Sequence, residues 1–266
     1  MILFQKPQVT GRSPGSQTSA PISMSSILKN RAELCIVVLC YKSGSFAKDY
    51  LESILDALHK GRITGYEILL VGNYVEESKD DTPEIVRGLC ENFDRVSCIT
   101  LPKKGWLGWD VRKAFEATNA NYVALIDGDG QMPAEDIPKA FLKIIQEDYD
   151  LVLTYRTKRG DGMYRFLLSL SYNFTVKILF PRVSVKDINS KPKIIRSSLL
   201  ESMQLESNGW TIDAEIMLQA FKRKARIHEI PTEFHGQTGG RKSFVGYKAI
   251  IEFILFLIKQ RFLGIK

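Results

Sequence analysis

The residue types best suited to chemistry lie in the segment Asp127-Gly128-Asp129-Gly130-Gln131. Two carboxylates two residues apart, directly after a predicted strand, can converge on one hard cation. Mg²⁺ and Mn²⁺ prefer oxygen ligands, and the glycines between the acids allow the backbone to approach a ligand closely. The spacing therefore predicts a divalent-metal site that bridges to substrate phosphates, against the alternative of an acidic turn exposed to solvent.

A second chemical signal is basic and lies after the next predicted strand, at Arg156, Arg159 and Arg165. Arginine suits phosphate because its planar fork binds in a bidentate manner and stays charged. Residues 151–266 carry 20 Lys/Arg against 9 Asp/Glu, whereas residues 1–150 carry 17 against 21. This asymmetry indicates an anionic partner such as phosphate, nucleic acid or a lipid headgroup, and an ordinary solvated basic loop is the alternative.

The elements that must position these residues alternate between strand and helix. Continuous apolar runs at residues 34–41, 66–71, 96–101, 122–126 and 151–155 are typical of buried parallel strands. Segments with helical spacing separate them. The pattern predicts an α/β fold: a mostly parallel, Rossmann-like sheet flanked by helices. In such sheets ligands bind beyond the carboxyl ends of the strands, which is where Asp127 and Asp129 are predicted to lie.

Composition excludes several classes of protein. The 266 residues are 44% hydrophobic and 25% charged, which is ordinary for a globular chain and argues against a coiled coil or a wholly disordered one. No apolar run reaches the roughly 18 residues of a spanning helix. The four cysteines form no CxxC pair, and no secretory signal is evident. We therefore expect reduced thiols and a cytoplasmic location.

The chain divides into three predicted parts. Residues 1–30 are rich in serine and predict a disordered tail, residues 31–246 hold the alternating elements, and residues 247–266 predict a C-terminal amphipathic helix. That helix has cations near its ends, and residues 163–180 form a second apolar helix. Both suit peripheral binding to an anionic membrane surface, on its cytoplasmic face. The alternatives are packing on the sheet and an interface between subunits of a homo-oligomer.

The run DGDGQMPAEDIP and the preceding glycine-rich loop, helix and strand at residues 105–130 resemble the glycosyltransferases of family 2, which have the GT-A fold. The resemblance is to the dolichol-phosphate mannosyltransferase-like branch and covers roughly residues 34–247. It implies a nucleotide-sugar donor whose diphosphate is held by Mg²⁺ or Mn²⁺. Asp127, Asp129 and Gln131 would then surround the metal.

The donor end matches this family only in part. Of its usual proline-x-tyrosine-asparagine-glutamate element after the first strand, the tyrosine alone is present, and Gly72-Asn73 replaces a pair of aspartates. The base of the nucleotide therefore stays open. The donor residues implied by the resemblance are Leu39, Tyr41, Ser43, Asn73, Gly128 and Arg156.

The resemblance also implies an acceptor, a polyprenyl phosphate of the dolichyl or undecaprenyl type. In the family's closing loop Gln237 stands where an arginine is expected, so Arg241 or Lys242 would supply the displaced charge. The acceptor- or phosphate-binding residues implied in this way are Arg165, Ser169, Arg241 and Lys242.

The implied catalytic residues are Asp129, Arg165 and Asp213. Asp213 enters only if the acceptor is the hydroxyl of a polysaccharide or glycolipid, because a phosphate is already nucleophilic and needs no general base. A nucleotidyltransferase is a further alternative, although residues 42–48 match its glycine-rich basic loop poorly. Nucleic-acid binding through the basic run at residues 221–226 lacks any RNA-binding signature, and we expect none.

Overall fold

The computed structural model describes residues 31–159, 163–235, 247–262 and 264. Side chains are described in these ranges except at residues 158–159, 163–170 and 247–250. The predicted tail at residues 1–30 lies outside the described residues.

Strands and helices alternate along the described chain. The strands are β1 (Ala32–Leu39), β2 (Tyr66–Val71), β3 (Val96–Ile99), β4 (Ala120–Asp127), β5 (Leu151–Arg159), β6 (Lys193–Arg196) and β7 (Ile227–Phe234). The helices are α1 (Phe46–Lys60), α2 (Thr82–Asn92), α3 (Leu107–Ala117), α4 (Asp136–Gln146), α5 (Met163–Leu179), α6 (Ser197–Glu201), α7 (Ile212–Lys222) and α8 (Tyr247–Phe262).

The strands form one sheet in the order β3-β2-β1-β4-β6-β5-β7. β6 runs antiparallel to both of its neighbours, and the other pairings are parallel. The predicted α/β class with a mostly parallel sheet is confirmed. The chain order of the strands reverses between β1 and β4, and this is the position where open α/β sheets form a ligand crevice.

Helices cover both faces of the sheet because the central strands are apolar on both sides. On β1, Ile36 and Val38 pack with α1, α2 and α4, whereas Val37 and Leu39 pack with α3 and α7. All four side chains are buried. This two-sided burial explains why β1 is a continuous apolar run rather than an alternating pattern.

The sheet contains two strands, β6 and β7, that are missing from the predicted set, and its strand β5 is longer than predicted. β5 continues past residue 155 to Arg159 because β7 pairs with it in parallel, with Arg156 opposite Thr232. Arg156 is therefore a strand residue and does not belong to a loop. The short strand β6 lies between β4 and β5 and runs antiparallel to both. The residues just before β6 therefore lie at the edge of the sheet where β4 ends.

Candidate active site

The turn after β4 is joined to the loop after β1 at the crevice. Asp127 lies opposite Leu39 in the parallel pairing of β1 with β4. The backbone N–H of Gly128 donates to the Leu39 carbonyl at 2.9 Å, and the Ser43 hydroxyl donates to the Gly128 carbonyl at 3.0 Å. Four residues predicted to bind donor or metal are thus brought together: Leu39, Ser43, Asp127 and Gly128.

The same turn is held in a tight conformation around Asp129. The carboxylate of Asp129 accepts the backbone N–H of Gln131 at 3.1 Å. Gly130 has φ +69°, and a Cβ there would lie 2.4 Å from the Phe46 ring, so this position requires glycine. The Gln131 carbonyl accepts the backbone N–H of His235 at 2.9 Å, which links the turn to the end of β7.

Both carboxylates of the turn influence the pKa of Tyr50 on α1. Its hydroxyl is buried and donates to the Met132 carbonyl at 2.9 Å. Burial raises the pKa of Tyr50 well above its ordinary value, and the charges of Asp129 and Asp127 raise it further. Both carboxylates therefore act on one buried hydroxyl, as expected for side chains at the same crevice.

A cavity of about 600 Å³ lies against this turn. Its wall includes Lys42 from the loop after β1, Lys79 from the loop after β2, and Asp129. The two loops are tied together because the backbone N–H of Gly44 donates to the Thr82 hydroxyl at 2.9 Å. The cavity thus offers two ammonium groups beside three carboxylates, those of Asp80, Asp81 and Asp129, a combination that suits a diphosphate and its cation.

The acidic pair fits a cation that arrives with a substrate. Among the described residues, no group of three or more His, Cys, Asp or Glu is arranged to hold a metal ion. Mg²⁺ in phosphate-transfer sites is often held by one or two carboxylates together with substrate phosphates, and Asp127 and Asp129 supply that number. Gln131 is buried, and its backbone contacts fix the turn.

Two lysines before and in β6 enter this site, and with two aspartates they form what we term the lysine–aspartate cluster: Lys191, Lys193, Asp127 and Asp213. The Lys191 ammonium lies 3.2 Å from the Asp127 carboxylate and 3.2 Å from that of Asp213. The Lys193 ammonium lies 2.5 Å from Asp213. Both lysines and Asp213 are buried, so these three charges interact with little screening by water, whereas the Asp127 side chain is 35% exposed.

Asp213 sits in this cluster as a fully ionised partner. Burial by itself raises the pKa of the Asp213 carboxyl, but Lys191 and Lys193 outweigh that effect and hold the pKa below its ordinary value. Such a carboxylate is a weak proton acceptor. The next acid of α7, Glu215, accepts the backbone N–H groups of Glu206 and Ser207 at 2.9 Å each, and so fixes the preceding loop.

A second, largely buried cluster contains two of the residues predicted to bind the donor, Asn73 and Tyr41. Asn73 donates to Asp110 at 2.9 Å and accepts the backbone N–H of Leu101 at 2.8 Å. Lys103 forms a buried ion pair with Asp110, and its ammonium lies 4.4 Å from the centre of the Tyr41 ring. Burial raises the pKa of Asp110 although Lys103 and Asn73 act to lower it.

The structure describes the remaining predicted residues only in part. Arg156 forms a bidentate ion pair with Asp187, at 2.6 Å and 3.0 Å, and its guanidinium lies over the Phe234 ring. Arg165 and Ser169 lie on α5, and their side chains are outside the described part. Arg241 and Lys242 fall outside the described residues altogether.

Residues 35–203 match the family model for glycosyl transferase family 2. The chain belongs to this family. The predicted resemblance to the family is therefore confirmed over most of the sheet and over the turn that carries Asp127 and Asp129.

Curated relatives of this family 2 chain include two transferases that are named for dolichol phosphate. It is 26% identical over 195 residues to a dolichol-phosphate mannosyltransferase of Pyrococcus furiosus, covering 71% of this chain and 53% of the relative. It is 25% identical over 199 residues to a dolichyl-phosphate beta-glucosyltransferase of Saccharomyces cerevisiae, covering 66% and 59%. The chain thus spans little more than half the length of these relatives.

Solved structures share the fold of this family 2 chain. Glucosyl-3-phosphoglycerate synthase of Mycobacterium tuberculosis, in complex with Mn²⁺, uridine-diphosphate-glucose and phosphoglyceric acid, superposes with a TM-score of 0.67. The match is 16% identical and covers 92% of this chain and 86% of that one. At this identity the likeness shows the architecture, and it confirms the predicted GT-A fold.

Sequence reasoning missed Lys191, Lys193, Lys103 and Asp110. Asp110 did carry a signal, because it lies four residues before Ala114, on the buried face of α3. A carboxylate among such residues requires a buried partner. Lys191 and Lys193 carried a weaker signal, because they flank Pro192 and lead directly into the apolar strand β6.

Proposed function

We propose that this chain transfers a sugar from a nucleotide-sugar donor to an acceptor. The observation that carries the proposal is the placement of Asp127 and Asp129 at the crevice between β1 and β4, beside a cavity lined by Lys42 and Lys79. Carboxylates, ammonium groups and close backbone form a site complementary to a nucleoside diphosphate with a divalent cation. Membership of family 2 supports sugar transfer over nucleotidyl transfer.

Asp127 and Asp129 would hold Mg²⁺ or Mn²⁺. When bound, the cation would neutralise the charge that develops on the leaving diphosphate. The chain's own residues bind and orient the donor: Lys42 and Lys79 attract the phosphates, and the hydrogen bonds of Ser43 and Gly128 keep the two loops in place. Tyr41, next to Lys103, offers an aromatic face to the base.

For the acceptor we propose a lipid phosphate of the polyprenyl type. The names of the two curated relatives support this class. The state of Asp213 also supports it, because a carboxylate held by two lysines is poorly suited to remove a proton from a hydroxyl. A phosphate acceptor attacks without a general base, and Arg165 and Ser169 on α5 are the residues proposed to bind it.

A lipid acceptor requires the site to lie near a membrane, and we propose peripheral binding at its cytoplasmic face. α5 and α8 pack together through Tyr172 and Phe253, whose rings stack at 3.7 Å. Their outer surface, termed here the apolar face, consists of Phe174, Ile178, Ile251, Ile254, Leu255, Ile258 and Phe262, all exposed. The exposed cations Lys177, Lys259 and Arg261 accompany it and suit anionic headgroups. In the described part of the chain no helix has both the length and the apolar character needed to span a bilayer.

A donor and acceptor screen tests the proposal. Purified protein with Mn²⁺ or Mg²⁺ is incubated with a panel of UDP- and GDP-sugars, with and without polyprenyl phosphate, and release of nucleoside diphosphate is measured. We expect release from one donor class, increased by the lipid phosphate. If a hydroxyl acceptor increases the release of nucleoside diphosphate and the lipid phosphate does not, the proposed acceptor is wrong and a hydroxyl takes its place. Absence of release from every donor would overturn the function.

A further inference from the structure

We propose that Lys191 is a built-in counter-cation of Asp127, which makes binding of the divalent cation depend on the nucleoside diphosphate. The inference rests on the proposed function and concerns its metal pair. It starts from the charges in the lysine–aspartate cluster. Lys193 already pairs with Asp213 at 2.5 Å, so the charge of Asp213 is balanced without Lys191. The second ammonium, that of Lys191, is therefore available to balance Asp127, 3.2 Å away.

Lys191 is held at this position by the sheet. Its carbonyl accepts the Thr154 hydroxyl of β5 at 2.7 Å, and the same hydroxyl bonds to Ser190 at 2.7 Å. The side chain of Lys191 is 3% exposed, whereas that of Asp127 is 35% exposed. Because the ammonium is buried and the Asp127 side chain is partly exposed, the exposed part of that side chain stays open to a cation.

Lys191 changes the net charge of the site at which a divalent cation would bind. Asp127 and Asp129 would present two negative charges, but Lys191 offsets one of them before any ligand arrives. A divalent ion a few ångströms from an ammonium is repelled, and even with water-like screening the repulsion corresponds to at least about a tenfold loss of affinity. A nucleoside diphosphate brings negative charge that offsets the ammonium, so cation and nucleotide are expected to bind together.

Titration of Mn²⁺ tests the role of Lys191 without any turnover. Free Mn²⁺ is counted by electron paramagnetic resonance, in the absence of nucleotide, for the wild type, Lys191→Met and Lys193→Met. We expect Lys191→Met to bind Mn²⁺ at least about tenfold more tightly than the wild type. Lys193→Met leaves Lys191 in place but makes Asp213 and Asp127 share its ammonium, so this variant should gain less affinity than Lys191→Met. Circular dichroism and thermal melting establish that each variant is folded, and Lys191→Gln replaces Lys191→Met if the latter is not.

A merely structural role for Lys191 predicts the opposite sign, because a disturbed turn would bind Mn²⁺ more weakly. A folded Lys191 variant that gains no affinity overturns the proposal. So does a wild-type protein that binds Mn²⁺ equally well with and without UDP or GDP, whatever the variants do. If the wild type binds neither nucleoside diphosphate with Mn²⁺ present, the proposed function fails. If it binds one of them and Lys191→Met gains nothing, only the role of Lys191 fails.

Discussion

The two aspartates of the turn have different surroundings. Asp127 is in contact with Lys191 and lies at the end of β4, whereas Asp129 lines the cavity and accepts the backbone N–H of Gln131. Substitution of Asp127 therefore also disturbs a buried charge cluster. Substitution of Asp129 leaves that cluster intact, and so reports more directly on ligand binding.

Asp213 should contribute to stability in a pH-dependent way. We expect Asp213→Asn to lower the free energy of unfolding at pH 7 by about 3–5 kcal/mol, because two buried lysines lose a carboxylate. The folded-state pKa of Asp213 is depressed, so its contribution is present above the unfolded-state pKa of about 4 and is lost as the pH falls through the lower folded value. Denaturant unfolding of wild type and variant should therefore converge only below about pH 4.

The matched control for this measurement is Asp148→Asn. Asp148 likewise pairs with two cations, Arg196 and Arg226, but its side chain is 76% exposed, and such pairs contribute about 0–1 kcal/mol each. Equal losses of stability for the two variants at pH 7 would contradict the account of the buried cluster.

Arg165 should act on the acceptor more than on the donor. A lost charge-assisted phosphate contact costs ~1.5–3 kcal/mol, so we expect Arg165→Ala to raise the acceptor KM, or lower kcat/KM, by about ten- to a hundredfold. The donor Kd should change little. Lys60→Ala, which removes an exposed cation from α1, is the control. An unchanged acceptor response in Arg165→Ala would remove this residue from the acceptor site.

At the scale of elements, the part of the fold predicted best was the part with local signals. β1, β2 and β4 are apolar runs buried on both faces, and the helices between them have amphipathic spacing, so their order follows from the sequence. β6 is four residues long and begins with a lysine, and neither its position between β4 and β5 nor its antiparallel direction has a local signature.

The same distinction explains which site residues were found. Asp127 and Asp129 are two residues apart in sequence and come at the end of an apolar strand, so a local pattern reveals them. The contact of Lys191 with Asp127 joins residues 64 positions apart and exists only because β6 returns beside β4. Asn73 in the loop after β2 and Asp110 on α3 meet in a comparable way, although they are 37 positions apart.

The apolar face of α5 and α8 should bind anionic vesicles. Phe253 and Leu257 of α8 are buried, so deletion of the helix would disturb the core, and point substitutions are the better test. We expect the wild type to float with anionic liposomes at low salt and less at high salt. Leu255→Glu with Ile258→Glu should reduce flotation several-fold at an unchanged melting temperature.

Leu142→Glu is the control for these substitutions, because Leu142 is exposed to a similar degree but lies on α4, outside the apolar face. Flotation that is equal in all variants would exclude the apolar face as the membrane contact. If the wild type does not float and the Glu variants change the molecular mass in solution, the face is a subunit interface instead.

At the scale of the whole molecule, the cavity and the excess of basic residues belong to different parts of the chain. The loops after β1, β2 and β4 form the cavity with its carboxylates and lysines, whereas the basic excess lies in residues 151–266, which include α5 and α8. A donor held at the first and an anionic acceptor or membrane at the second would meet at the crevice between them. This division agrees with family 2 membership, with the donor end in the matched residues 35–203.

The most direct test of the central claim is nucleoside diphosphate binding by the wild type and Asp129→Asn, measured by calorimetry with Mn²⁺. Asp56→Asn, an exposed acid of α1, is the control. The account predicts Mn²⁺-dependent binding of UDP or GDP by the wild type and the control. It predicts binding weakened on the order of a thousandfold in Asp129→Asn, with an unchanged unfolding free energy. A folded Asp129→Asn protein that binds the nucleotide as tightly as the wild type would contradict the account.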